Sequence, residues 1–233
     1  MIVRSGLVLL GALLLSACTS GENSSFERLK PIIEEEIFGG PIFGDPEPAP
    51  TPREPTRAEL NEVPFATIAV SIEDSPRAFV VPLADNGGYL TYQDALRRGV
   101  IMRGGLITAT QGLTYNLSAV KHDIDDPIVG PRALADWPDS IYRNYQFALG
   151  GGARDFQITV ACRYERGTPE RVEIIELIFD TIRVVEICRN TVREFRNTYW
   201  VDPSSGFIWK SEQWIGPRQQ PMTVEIIRPY AAS

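Results

Sequence analysis

Reactive chemistry is thinly supplied in this sequence. There is one histidine, His122, and there are three cysteines among 233 residues. A zinc-type centre needs several His or Cys at ligand spacing. No Gly-x-Ser-x-Gly elbow is present. No Walker sequence occurs, and Gly150-Gly151-Gly152 does not follow a strand within a βαβ unit. Carboxylate pairs such as Asp136 and Asp139 exist, but 30 acidic residues supply such pairs by chance. The expectation is no catalytic residue, no cofactor and no metal. Basic charge is scarce too: 23 Lys and Arg against the 30 acids leave a net charge of −7. Without a Lys/Arg cluster the chain is a poor partner for nucleic acid, whose phosphates need cations. Long apolar runs are missing as well. The longest, Gly6 to Leu15, is about half a membrane span.

That short run is informative. Arg4 precedes it, and Leu15-Ser16-Ala17-Cys18 follows. A positive start, a short apolar core and small residues before a cut form a secretory signal. Leu-Ser-Ala-Cys is similar to the lipobox, whose Cys takes a diacylglyceryl group and becomes the new N-terminus. Residues 1–17 then read as a signal and Cys18 as the lipidation site. Two or more acyl chains anchor a protein stably. Thr19, rather than Asp, follows the Cys, and by the lipoprotein sorting rule this favours the outer membrane. The other readings are an ordinary signal peptide, or a buried apolar strand, with an incidental Cys. Residues 18–56 read as a tether. Phe26, Leu29, Ile33 and Ile37 have helical spacing. Pro41, Pro46, Pro48, Pro50, Pro52 and Pro55 favour extended polyproline conformations.

Residues 57–233 have the makings of one domain, the chain as a whole being 43% hydrophobic. Thr56 is placed to cap a turn through Leu60. After Pro64 the pattern is β: Phe65–Ile72, Phe79–Leu83, Tyr89–Tyr92, Val100–Arg103 and Leu106–Thr110 read as strands. Asp85-Asn86-Gly87-Gly88 is a strong turn signal. The stretch Lys121-His122-Asp123-Ile124-Asp125-Asp126-Pro127 holds three Asp beside the only His. It lacks the EF-hand spacing and reads as a solvated loop. A loop and a helical turn follow through Tyr142. Ala153–Glu165, Arg171–Phe179, Thr181–Cys188, Arg193–Val201, Phe207–Ile215 and Thr223–Arg228 complete the strands, with a turn at Arg166–Pro169. The expected fold is mainly β, a single domain of antiparallel strands in a strongly curved sheet or open barrel with a few short helical turns.

Cys162 and Cys188 suit a disulfide in an oxidising compartment. If a strand lies between theirs, they stand two strand spacings apart, roughly 9.6 Å. A disulfide needs Cα atoms within about 7 Å. A non-meander order, a sharp bend or two free thiols would each resolve the conflict. In the hairpin 193–215, a loop at Pro203–Gly206 puts Trp200 opposite Trp209 and Phe195 opposite Trp214. Trp200 and Trp209 share one face, Tyr199 and Trp214 the other. One face should be core. The other is left for a partner or a glycan, with Asn197, Glu212 and Gln213 alongside to bond hydroxyls.

The segment Asn197-Thr198-Tyr199-Trp200-Val201-Asp202-Pro203-Ser204-Ser205-Gly206-Phe207-Ile208-Trp209-Lys210-Ser211-Glu212-Gln213, with the closing Arg228-Pro229-Tyr230, resembles the YjbF/GfcB family of outer-membrane lipoproteins. Ser205 stands for the usual Thr and Arg228 for the usual Lys. Gly105–Leu113 is similar to a second family segment but lacks its Arg. Asp126-Pro127 matches a family Asp-Pro. The resemblance covers residues 57–230 and the lipobox. It implies a mostly antiparallel β fold and no assigned activity. It implies an outer-membrane lipoprotein, with its domain in the periplasm, accessory to capsule and exopolysaccharide secretion. Its expected partners are a β-barrel outer-membrane protein and exopolysaccharide, besides the membrane held through lipid on Cys18. The alternatives are a lipid or lipoprotein carrier of the LolA/LolB type, a polysaccharide-modifying hydrolase, and a plug or assembly factor for a barrel.

Overall fold

The computed structural model describes residues 53–73, 75–94, 96–148 and 156–231. The signal, Cys18 and the expected helix in the tether lie outside them. The description begins with a helix, α1 (Arg57–Glu62). Thr56 caps it with a full capping box: its hydroxyl accepts from the Glu59 amide, and the Glu59 carboxylate accepts from the Thr56 amide. Thr56→Ala should lower stability by about 1 kcal/mol. A urea midpoint unchanged by the substitution would show that α1 is dispensable to the fold.

Twelve strands follow: β1 (Thr67–Ile72), β2 (Ala78–Asp85), β3 (Tyr89–Gln93), β4 (Gly99–Arg103), β5 (Leu106–Gln111), β6 (Asn116–His122), β7 (Ser140–Ala148), β8 (Phe156–Ile174), β9 (Leu177–Arg189), β10 (Glu194–Val201), β11 (Ile208–Gln213) and β12 (Met222–Arg228). One 3₁₀ turn, Leu134–Asp136, interrupts them. The order is β5-β4-β3-β2-β1-β12-β11-β10-β9-β8-β7-β6, all neighbours antiparallel. Two meanders therefore meet where β1 pairs with β12, and the sheet curls into a nearly closed barrel. Closure removes sheet edges, which otherwise invite pairing with other chains. At the β5/β6 seam side chains replace the ladder. The Leu117 amide donates to Thr110 Oγ1 at 2.9 Å. The Gln213 side-chain amide, from β11, accepts from the Ile107 amide at 3.0 Å and donates to the Gly105 carbonyl at 2.8 Å. Gln213 thus stands in for a neighbouring strand.

Inward residues fill the barrel, among them Ile68, Val100, Leu117, Val160 and Val201. The segment between β6 and β7 closes one end. Gly206 lies where it crosses the β10–β11 turn. Its φ is +75°, and a Cβ there would sit 1.9 Å from the Arg132 carbonyl oxygen. The position therefore needs glycine twice over.

Three features depart from the sequence reading. Residues 116–122 are strand β6, which takes in Lys121 and His122 from the stretch 121–127 read as a solvated loop. A bulge between Leu117 and Ala119 breaks its alternation. Residues 140–148 are strand β7, whose inward positions are Ile141, Arg143, Tyr145 and Phe147. An arginine in the second of these hides the pattern. Finally, Arg166–Pro169 is a bulge inside one long strand, not a turn. Gly167 allows the close approach there: a Cβ would lie 2.7 Å from the Arg183 carbonyl. The chain reverses instead at Ile175 and Glu176, at φ +43° and +65°. Neither residue is a usual donor of positive φ, and a β-branched one is an outlier there. Arg57 of α1 clamps this tip. Its guanidinium donates to the carbonyls of Ile174, Ile175 and Ile227 at 2.9, 3.0 and 3.1 Å. The bulge lets the outer part of the β8–β9 hairpin bend over the outer face of the barrel wall. A second small core forms beneath it, from Leu60, Val172, Ile174, Trp200 and Ile227.

Candidate functional site

Arg143 is the centre of a polar interior. It is 1% exposed, and an unpaired buried cation would be prohibitive. Nε and Nη2 donate to the two oxygens of Asp126, at 2.7 and 2.9 Å. Nη1 donates to Oε2 of Glu186 at 2.7 Å. The same oxygen accepts from Asn197 Nδ2 at 2.7 Å and from the Tyr199 hydroxyl at 3.1 Å. Burial works against the cation. The Glu186 and Asp126 carboxylates outweigh it and hold the guanidinium well above its ordinary range. Burial, reinforced by Glu186, pushes the Tyr199 hydroxyl well above the usual phenol range. Burial pushes Tyr145 up to about 12. Both tyrosines are therefore neutral at physiological pH, and Tyr199 donates to Glu186.

Local geometry explains how Asp126 reaches this place. Its Oδ1 also accepts from the Ile128 amide at 3.0 Å, and its carbonyl accepts from the amides of Val129 and Gly130. Asp126 thus folds the end-closing segment and ties it to the barrel wall. Glu186 Oε1 is the one buried side-chain atom without a partner among the described residues. The Glu186 carboxylate lies beside Cys162 and Cys188, one of its oxygens and the two sulfurs being within 4.8 Å of one another. Those sulfurs are bonded to each other, which uses up the thiolates a metal would need. Cys162 and Cys188 are directly opposed on adjacent strands, with Cα atoms 4.0 Å apart. The intervening strand assumed from the sequence does not exist, because β8 runs on without a turn and pairs with β9 itself.

The expected partner-binding residues are placed as follows. Asn197, Tyr199, Trp200 and Gln213 are buried, Trp209 and Trp214 half-buried, and Glu212 exposed. Tyr199 and Trp214 do share the inner face, where Trp214 stacks on Phe195 with centroids 4.1 Å apart. Trp200 and Trp209 share the outer face, although a bulge at Trp209 pairs Trp200 with Lys210 instead. Neither face is left bare. The β8–β9 hairpin covers the outer one: Trp200 Nε1 donates to Glu170 at 2.9 Å, and Trp209 stacks on Phe179 at 3.8 Å. Composition could not show that a distant hairpin folds over these rings. Arg143 and Glu186 were not singled out from the sequence either. The signal that could have found them is charge at inward positions of otherwise apolar strands.

Two cavities open at opposite strand ends. One, of about 260 Å³, lies where the β2–β3, β4–β5 and β10–β11 turns meet the C-terminal segment. The other, of about 360 Å³, lies at the β1–β2 and β3–β4 connections. Tyr92 lines both, and none of the seven expected binding residues lines either. Each holds a single carboxylate, Asp85 in the first and Asp94 in the second, and Asp94 is already paired with Arg98 at 2.8 Å. A glycosidase cleft needs two carboxylates.

Residues 27–227 match the family model described as group 4 capsule polysaccharide lipoprotein gfcB, YjbF. The chain belongs to the YjbF family. No curated protein matches it. Among solved structures it is similar to the crystal structure of the hypothetical lipoprotein YmcC from Escherichia coli (K12). That likeness has a TM-score of 0.70 at 16% identity and covers 91% of this chain and 100% of that one. It shows that the fold is shared. As a YjbF-family lipoprotein the protein is associated with capsule polysaccharide and with a membrane of the cell envelope. The family is not a known enzyme class.

Proposed function

We propose that this YjbF-family protein is anchored at the outer membrane by lipid on Cys18, with its domain in the periplasm. It assists capsule or exopolysaccharide secretion by binding a β-barrel outer-membrane protein, the glycan, or both. The family match supports the polysaccharide context. The observation that carries partner binding is the tip of the β8–β9 hairpin. Leu177 and Ile178 are 42% and 64% exposed there, directly after two strained residues held by Arg57. Strain maintained by the surrounding structure, beside exposed apolar side chains, supports reading this tip as the contact point.

A photoreactive residue at Ile178 in intact cells should crosslink to an outer-membrane β-barrel. The same residue at Val192, which is 87% exposed elsewhere, should not. Equal adducts from both positions, or none, would remove the tip from the reading. A lipid carrier is less well served. The cavities have the apolar walls it needs, but each is small for a lipid with several acyl chains, and Tyr92 stands between them.

A further inference from the structure

The smaller cavity is amphipathic in an ordered way. Its depth is apolar: Ile68, Leu90, Ile128, Ile208 and Ile226. Its rim carries Phe207, Tyr230, Asp85 and Arg228. Asp85 Oδ1 accepts from the Gly88 amide at 2.7 Å, and Arg228 Nη2 donates to the Asn61 carbonyl at 3.0 Å, which leaves each a second polar atom for a ligand. Asp85, as hydrogen-bond partner, holds the Tyr230 hydroxyl above the usual phenol range. Tyr92 is 4% exposed, and its hydroxyl bonds no described residue. Burial, with a smaller contribution from Tyr230, pushes that hydroxyl up to about 12, so it is a donor at neutral pH. Tyr92 lines both cavities, and Tyr230, whose charge acts on its hydroxyl, lines this one and not the other.

We propose that this cavity binds one sugar unit bearing a methyl group, of the 6-deoxy or N-acetyl kind. Flat aromatic faces at the rim stack on a sugar ring while Asp85 and Arg228 bond its hydroxyls. The isoleucine-lined depth takes the methyl. A sugar oxygen accepts from the Tyr92 hydroxyl, whereas an alkyl chain offers that donor no partner and displaces its water. The volume, about 260 Å³, suits one ring-sized unit rather than a chain of them. The inference rests on the capsule-polysaccharide reading and names the glycan feature that the site would select.

The test is saturation-transfer NMR on the full-length lipoprotein in lipid nanodiscs, with N-acetylglucosamine, L-rhamnose, glucose and decanoate as probes. Transfer should be strongest to the methyl protons of the first two sugars and weak for glucose. Tyr92→Phe should weaken their binding about tenfold, and Asp85→Asn at the exposed rim should also weaken it. No transfer to either methyl-bearing sugar, or transfer indifferent to both substitutions, overturns the proposal. Decanoate bound in their place would assign the cavity to an acyl chain. The Ile178 crosslink is independent: its persistence without sugar binding would sink this site alone.

Discussion

Arg143→Met should cost about 3–5 kcal/mol, a large share of the 5–15 kcal/mol typical of a domain. Methionine roughly fills the space but leaves Asp126 and Glu186 buried without their cation. Both carboxylates are completely inaccessible, so water cannot replace the guanidinium without opening the barrel. Denaturant unfolding measures the loss. Adding Asp126→Asn and Glu186→Gln to Arg143→Met should recover part of the stability, because neutral amides tolerate burial better than charges do. A single substitution costing less than about 1 kcal/mol would mean that the network is incidental to the fold. The end-closing segment should loosen with it, since Asp126 reaches the wall only through Arg143.

Replacing Cys162 and Cys188 together by alanine should cost about 3 kcal/mol. The cysteines are 26 residues apart, and the bond removes loop-closure entropy from the unfolded chain. Both side chains are fully buried against the barrel core. Reductant should therefore leave the native bond intact and cleave it only as the protein unfolds. Thiol labelling across a denaturant series measures this directly. Rapid labelling in native buffer after mild reduction would instead show an accessible bond.

Much of this molecule was legible in its sequence. Period-two alternation located most strands, and Asp202–Gly206 announced a turn that does form, with the Asp202 amide bonded to the Phe207 carbonyl at 2.8 Å. Thr56 marked the helix start. Tyr199 and Trp214 do part from Trp200 and Trp209, but through a bulge at Trp209 and the end of β11 at Gln213 rather than through the alternation that suggested it. These are local matters: alternation, capping and turn chemistry act between residues close in the chain.

What only the tertiary structure decided is long-range. Whether an aromatic face is covered depends on a hairpin tens of residues away, whose bend comes from a bulge that reads as a turn. The reversal at Ile175 and Glu176 carries no turn signature because Arg57, from the other end of the domain, supplies the restraint. Arg143, Asp126 and Glu186 look like surface charges one by one. Burial makes each of them costly alone, and only the closed barrel brings them close enough to neutralise one another.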